Sequence, residues 1–146
     1  MAAGISDYGA NLFVDVLTGY ASMPATVYVA LCLQQPDSGY DGTVLQGIEP
    51  PTSAAYARVA LDMSTSRWTT AVNGSSATSV ALSWAGASAD WGIVNHYALC
   101  DDPTAGNLIC WGELASEVRV GVGDTATMPI GYIALGASGP VEAMVL

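Results

Sequence analysis

Apolar and polar positions alternate along most of this chain with the period of a β-strand, and only the first twenty residues follow a helical period. Ile5, Tyr8, Leu12, Phe13 and Val16 fall 3, 7, 8 and 11 residues from the first, which sets them on one face of a helix. Ser6 or Asp7 can cap its start, and Gly19 can stop it. After Met23-Pro24 every segment favours strand. Thr26 to Gln34 is β-branched and apolar on both faces, as in a strand covered from both sides. Ala55 to Met63 alternates, with Ala57, Val59, Leu61 and Met63 opposed to Tyr56, Arg58, Ala60 and Asp62. A weaker strand over Arg67 to Val72 leads to an Asn73-Gly74 turn, and Ala77 to Trp84 follows.

The stretch from Trp91 to Met128 carries the most information. Ile93 to Cys100 and Leu108 to Leu114 read as an antiparallel pair around Asp101-Asp102-Pro103-Thr104-Ala105-Gly106-Asn107. Short carboxylates that accept backbone N–H groups, a proline that fixes φ, and Gly106 or Asn107 at positive φ make that segment a turn. A third strand places Val118, Val120 and Val122 opposite Glu117, Arg119 and Gly121 and ends in a Gly-Asp turn. Gly131 to Leu135 and Val141 to Val145 complete the set. Short strands separated by Gly, Pro and Asn turns predict an all-β protein, a single antiparallel β-sandwich or jelly-roll-like domain preceded by a short N-terminal helix. The division is 1–22 for the helical segment, 23–136 for the β-domain and 137–146 for an apolar tail behind a Gly-rich spacer.

One irregular stretch, residues 36–54, is longer than most connections in a compact domain. It reads as an exposed binding loop, a subunit-bridging arm, or an insertion without a role. Its Asp37, Asp41 and Glu49 lack the regular offsets of a calcium loop.

Composition turns this picture toward assembly. Charged residues are 11% of the 146, against about 25% in an ordinary soluble domain. There is no lysine, and Arg58, Arg67 and Arg119 face thirteen carboxylates for a net charge of -10. Half the residues are apolar, more than one core needs, so part of the exterior is expected to face other protein. Three scattered arginines cannot form the basic patch that binds phosphates, so nucleic acid is not an expected partner. No run reaches the roughly 18 to 20 apolar residues that span a bilayer, and the first residues lack the pattern of a secretory signal. No membrane partner is expected.

Catalytic chemistry finds little support. His96 is the only histidine and has no companion cluster of ligands for a metal. Cys32, Cys100 and Cys110 are odd in number and lie in apolar strands, which favours buried thiols and leaves a Cys100–Cys110 hairpin disulfide open. There is no nucleophile elbow, phosphate loop or zinc-protease motif. Asp101 and Asp102 are better explained as turn caps, and Glu113 and Glu117 as solvated carboxylates. No catalytic residue, cofactor or metal ligand is assigned. Trp84 and Trp111 belong in the core, Trp91 at an end of the sandwich, and Trp68 is the tryptophan expected at the surface, where it would serve as a sugar platform.

The ordered segments ATVYVALCLQQP, AAYARVALDM, SVALSWAGASADWGIVNHYALCDDPTAGNLICWGEL and VGVGDTATM resemble a family of small tail-fibre-type or virion-associated structural proteins of tailed bacteriophages, particularly those of actinobacteria. The resemblance runs from about Leu12 to Leu135. The loop after Pro36 is longer than is usual in that family, and the tail after Gly136 has no counterpart. The resemblance implies a non-enzymatic virion component, made and assembled in the host cytoplasm, with other virion proteins as partners and a homo-oligomer, such as a trimer, as its state. A tail-tip or fibre-associated subunit is the first expectation. Capsid decoration is the second, and a host-glycan-binding module the third. The residues expected to meet partners are Ile5, Tyr8, Leu12 and Phe13 of the helix, Tyr40, Val44, Leu45 and Ile48 of the long loop, Trp68, and Val141, Met144, Val145 and Leu146 of the tail.

Overall fold

The computed structural model describes residues 3–136. Its centre is a five-stranded antiparallel sheet in the order β1-β7-β6-β2-β3. These strands are β1 (Gly4–Ile5), β2 (Thr26–Cys32), β3 (Val59–Asp62), β6 (Gly92–Cys100) and β7 (Leu108–Val120). Two short ribbons accompany it, β4 (Ser75–Ala77) with β9 (Ala134–Gly136) and β5 (Leu82–Ser83) with β8 (Thr127–Met128). The all-β class and the short N-terminal helix agree with the sequence pattern. The second layer consists of the two ribbons and their connections rather than a second broad sheet.

β2 and β6 lie at the centre, and their apolar residues are buried on both faces. On one face Val27, Val29, Leu31, Val94, Tyr97 and Leu99 meet Leu82, Trp84, Met128 and Ile133 of the ribbon layer. On the other face Ala30, Cys32, Ala98, Cys100, Leu108 and Trp111 meet Leu45 and Ile48. Residues 36–54 therefore form a lid on the sheet. They hold a short helix α2 (Gly42–Leu45) and two 3-10 turns, Gln46–Ile48 and Thr52–Ala54. Without them, the apolar residues of the second face would meet water. An exposed loop or bridging arm is the wrong description, and the reason is that β2 and β6 are apolar on both sides.

The helix α1 (Asp7–Thr18) is capped by Ser6, whose hydroxyl accepts from Gly9 N at 2.9 Å. Gly19 ends it in the left-handed region at φ 86°. The same Ser6 hydroxyl reaches the carbonyls of Leu108 and Ile109, where a register shift between Leu99 and Cys100 leaves Ile109 unpaired with β6. Gly9 lies against the Ile109 carbonyl so closely that no β-carbon would fit. One serine and one glycine thus seat the helix on the edge of the sheet.

Several strand limits differ from the sequence pattern. The run 55–63 shortens to β3 because Ala55 takes a left-handed conformation at φ 64°. The weak strand at 67–72 reduces to bridges, Trp68 to Thr78 and Val72 to Ser75, around the Asn73-Gly74 turn, where both residues have positive φ. The two strands expected at 108–114 and 117–122 are one strand, β7. It stays continuous because three extra residues bulge out between the Val94–Val118 and His96–Glu113 pairs. Gly112 is required within it, since a β-carbon there would sit 2.5 Å from the Tyr97 hydroxyl and 2.6 Å from its ring. The tail strand expected at Val141 to Val145 lies outside the described residues.

Candidate functional site

The charged residues that look most like chemistry are used to lock the lid. Arg58 is buried and directs its guanidinium at Glu49, also buried, with Nη2 2.7 Å from Oε2 and Nε 3.0 Å from Oε1. Its remaining N–H groups donate to the carbonyls of Gly42 at 2.6 Å, Asp102 at 3.0 Å and Ala105 at 3.1 Å. Tyr56 Oη donates to Glu49 Oε1 at 2.6 Å and accepts from Leu31 N at 2.9 Å. Burial, with the Glu49 carboxylate beside it, pushes the Tyr56 phenol far above its ordinary range. Its ring stands edge-on to Trp91, with centroids 5.3 Å apart. One arginine therefore ties together the lid, the β6–β7 turn and the start of β3. A hollow of about 350 Å³ lies beside this cluster, between Pro50-Pro51 and Pro103-Thr104. Glu49, Tyr56 and Arg58 at its floor are already hydrogen-bonded within the chain, and the polar side chains of Gln46, Thr52 and Ser53 on its wall are exposed.

The other carboxylates of the lid cap backbone. Asp41 accepts from Thr43 and Val44 N at 2.9 and 2.8 Å, and Asp37 from Gly39 N at 2.9 Å. Asp101 and Asp102 hold the β6–β7 turn as their spacing suggested. Asp101 accepts from Asn107 N at 2.7 Å, and Asp102 from Thr104 and Ala105 N at 2.9 and 2.8 Å. Those backbone donors keep the Asp102 carboxyl below the usual range. Among the described residues no three His, Cys, Asp or Glu side chains gather as a metal site would require.

His96 is buried. Its Nδ1 is 2.7 Å from Asn95 Oδ1, and its Nε2 has no partner among the described residues. Burial lowers its pKa, opposed by Glu113 across the strand pair. The three cysteines are free and buried. Cys100 faces the lid and Cys110 the ribbon layer, so a disulfide between them is not formed. Burial pushes the Cys100 thiol up to about 12 and raises those of Cys32 and Cys110 as well. A thiol held neutral in this way is a poor nucleophile.

What is left as candidate function is surface. Ile5 lies in β1 rather than on the helix and is half-buried, Leu12 and Phe13 of α1 are buried and half-buried, and Tyr8 lies at the margin, where burial and the Asp101 carboxylate raise its pKa. Leu45 and Ile48 are enclosed under the lid and Tyr40 packs at its rim, while Val44 points outward. Leu45 and Ile48 are therefore spent within the chain, and the expectation that they meet a partner is corrected by the second core they fill. Trp68 is half-buried against the main core with its indole nitrogen enclosed, so it is not the flat exposed platform expected of it. Val141, Met144, Val145 and Leu146 lie outside the described residues. Besides Val44 and Tyr8, the large apolar groups that face outward are ones the sequence pattern did not single out for contact. Val14, Leu17 and Tyr20 are 54%, 70% and 87% exposed, with Met23 beyond them. They occupy the far side of α1 and its exit. The sequence signal for them was present, since apolar residues at 14 and 17 fall outside the buried stripe and widen the apolar part of the helix beyond what its own sheet covers. Also outward are Ile93 in β6, Val118 in β7, Val122 just past β7 and Ile130 just past β8.

Among the described residues no helix is long and apolar enough to cross a membrane. No curated protein matches the chain. A family model does: the one described as Gp80, podophage GP4 fiber I protein gp80, matches residues 4–136, which takes in every strand and both helices described above. With a β-rich body, charged groups consumed by structure and apolar groups left outside, the chain belongs to this family of phage fibre structural proteins.

Proposed function

We propose that this chain is a fibre-associated subunit at the tail of a podophage-type particle, and that it works by docking on neighbouring virion proteins rather than by catalysis. Membership of the fibre family supports the tail over the shell. The observation that carries the docking reading is the exposed group of Val14 and Leu17 on α1 with Tyr20 and Met23 just past its end, next to a body whose own core is already complete on both faces of the sheet. Large apolar side chains grouped at the surface are typical of protein contacts. The net charge of -10 keeps single chains apart in solution until a matched surface is offered. We assign no catalytic residue, since the buried ionisable groups are either locked by partners within the chain or held neutral by burial.

A capsid-decoration role is the second reading, and a glycan-binding role the third. The burial of Trp68 weakens the third. Copy number separates the first two. Quantitative mass spectrometry of purified particles should find a number of copies suited to a tail with a few symmetry-related fibres, and hundreds per particle would overturn the fibre reading. Leu17→Glu should fold normally yet fail to enter particles, and full incorporation would remove α1 from the docking surface.

A further inference from the structure

The outer edge of β7 is open for most of its length. β1 pairs with this edge at Cys110 and Trp111 alone, and from Gly112 to Val120 it has no strand partner among the described residues. One of its backbone groups, Ala115 N, is taken by the Tyr132 hydroxyl at 2.9 Å. Beside this edge runs a groove of about 530 Å³ whose floor is Trp84, Val94, Val120 and Met128, with Val118 on its rim at 51% exposure. That volume lies in the range, about 300–1,000 Å³, of sites that enclose a ligand or several side chains. The Trp84 indole N–H is buried and has no hydrogen-bond partner among the described residues. Native sheets blunt open edges with lysine, proline or bulges. This chain has no lysine, and on its open stretch β7 carries a bulge, Glu113, Glu117 and Arg119.

We propose that this groove receives residues 137–146 of a second copy of the chain, laid along β7 as an added strand. The segment Val141-Glu142-Ala143-Met144-Val145-Leu146 is apolar but for one carboxylate, so an added strand of it would turn Val141, Ala143 and Val145 together into a groove. The path of the chain favours a neighbour over the chain's own groove. Tyr132 stands at the groove, but β9 then runs antiparallel to β4 and leaves at Ser75, beside the Asn73-Gly74 turn. Four extended residues carry the chain roughly 13 Å onward, so filling its own groove would require doubling back. The ten residues beyond span up to roughly 33 Å, enough to reach an adjacent subunit. This inference deepens the assembly reading and rests on it.

The test uses full-length chains with one added cysteine each. Ser116→Cys places a thiol at the groove, and Val145→Cys places one on the tail; the native thiols are buried and do not compete. Mixed and oxidised, the two variants should give a disulfide-linked heterodimer on a non-reducing gel. Adding Val118→Asp to the Ser116→Cys chain should cut the yield about tenfold or more, because a carboxylate on the rim opposes burial of the tail. Circular dichroism of that chain, whose residue 118 is half-exposed, reports whether the fold is kept. A yield no higher than that of a remote exposed control, Thr65→Cys, would overturn the proposal. So would intrachain closure alone in a dilute Ser116→Cys/Val145→Cys double variant, which would assign the groove to the chain's own tail. The copy-number measurement is independent of both, so a failed fibre reading with an intact heterodimer is told apart from the reverse.

Discussion

Replacing Arg58 by methionine keeps the aliphatic length of the side chain and removes its guanidinium. The structure gives the consequence. Glu49 would lose its ion pair while staying buried, and the carbonyls of Gly42, Asp102 and Ala105 would lose their donor. Breaking a buried pair by removing one partner costs about 3–5 kcal/mol, mostly from the stranded charge. A chain of this size has a total stability of about 7–20 kcal/mol, so the loss is a large fraction of it. In urea, with a slope of about 1–3 kcal/mol per molar, the midpoint should fall by about 2 M at an unchanged slope. The double variant Glu49→Gln/Arg58→Met neutralises the stranded carboxylate and leaves an acceptor for Tyr56, so it should regain at least half of the loss. A loss below about 1 kcal/mol, or no recovery in the double variant, would refute the view that this pair holds the lid.

Other expectations follow from the same geometry. Leu45→Ala should cost about 2–5 kcal/mol by opening a cavity under the lid, while Val44→Ala next to it stays within about 0.5 kcal/mol; equal effects in thermal melts would contradict the two-sided core. Gly9→Ala should destabilise the protein even though alanine favours helices by about 1 kcal/mol, because its β-carbon meets the Ile109 carbonyl; a raised melting temperature would show that α1 is not seated there. His96 binds its proton less readily folded than unfolded. Its share of stability is therefore complete above the unfolded pKa near 6.5 and declines as pH falls below it toward the lowered folded value. His96→Gln should flatten that slope in urea titrations between pH 7 and 5, and an unaltered slope would exclude His96 as its source.

Much of this fold was legible in the alternation of the chain. β2 showed itself by apolar residues on both faces, β6 by its antiparallel pairing with the run from Leu108, the Asp101–Asn107 turn by its capping residues, and α1 by its stripe and its serine and glycine ends. The lid was not legible, because its helix and 3-10 turns are too short to show a period. The clue was indirect: a strand apolar on both sides needs two covers, and the only long segment available was 36–54. Arg58 was similarly concealed. In sequence it alternates with alanines as an outward residue would, and only the carbonyls gathered from two other segments reveal its role. The outward residues of α1 were misjudged because the inward stripe was taken as the contact surface. A helix seated on its own sheet uses that stripe itself and offers a neighbour the opposite side.

The most direct test of the account is the position of this protein on intact particles, read by gold-labelled antibody and electron microscopy. A fibre subunit that docks through α1 should place the gold at one end of the particle, on or beside the tail. Label spread evenly over the shell would contradict it.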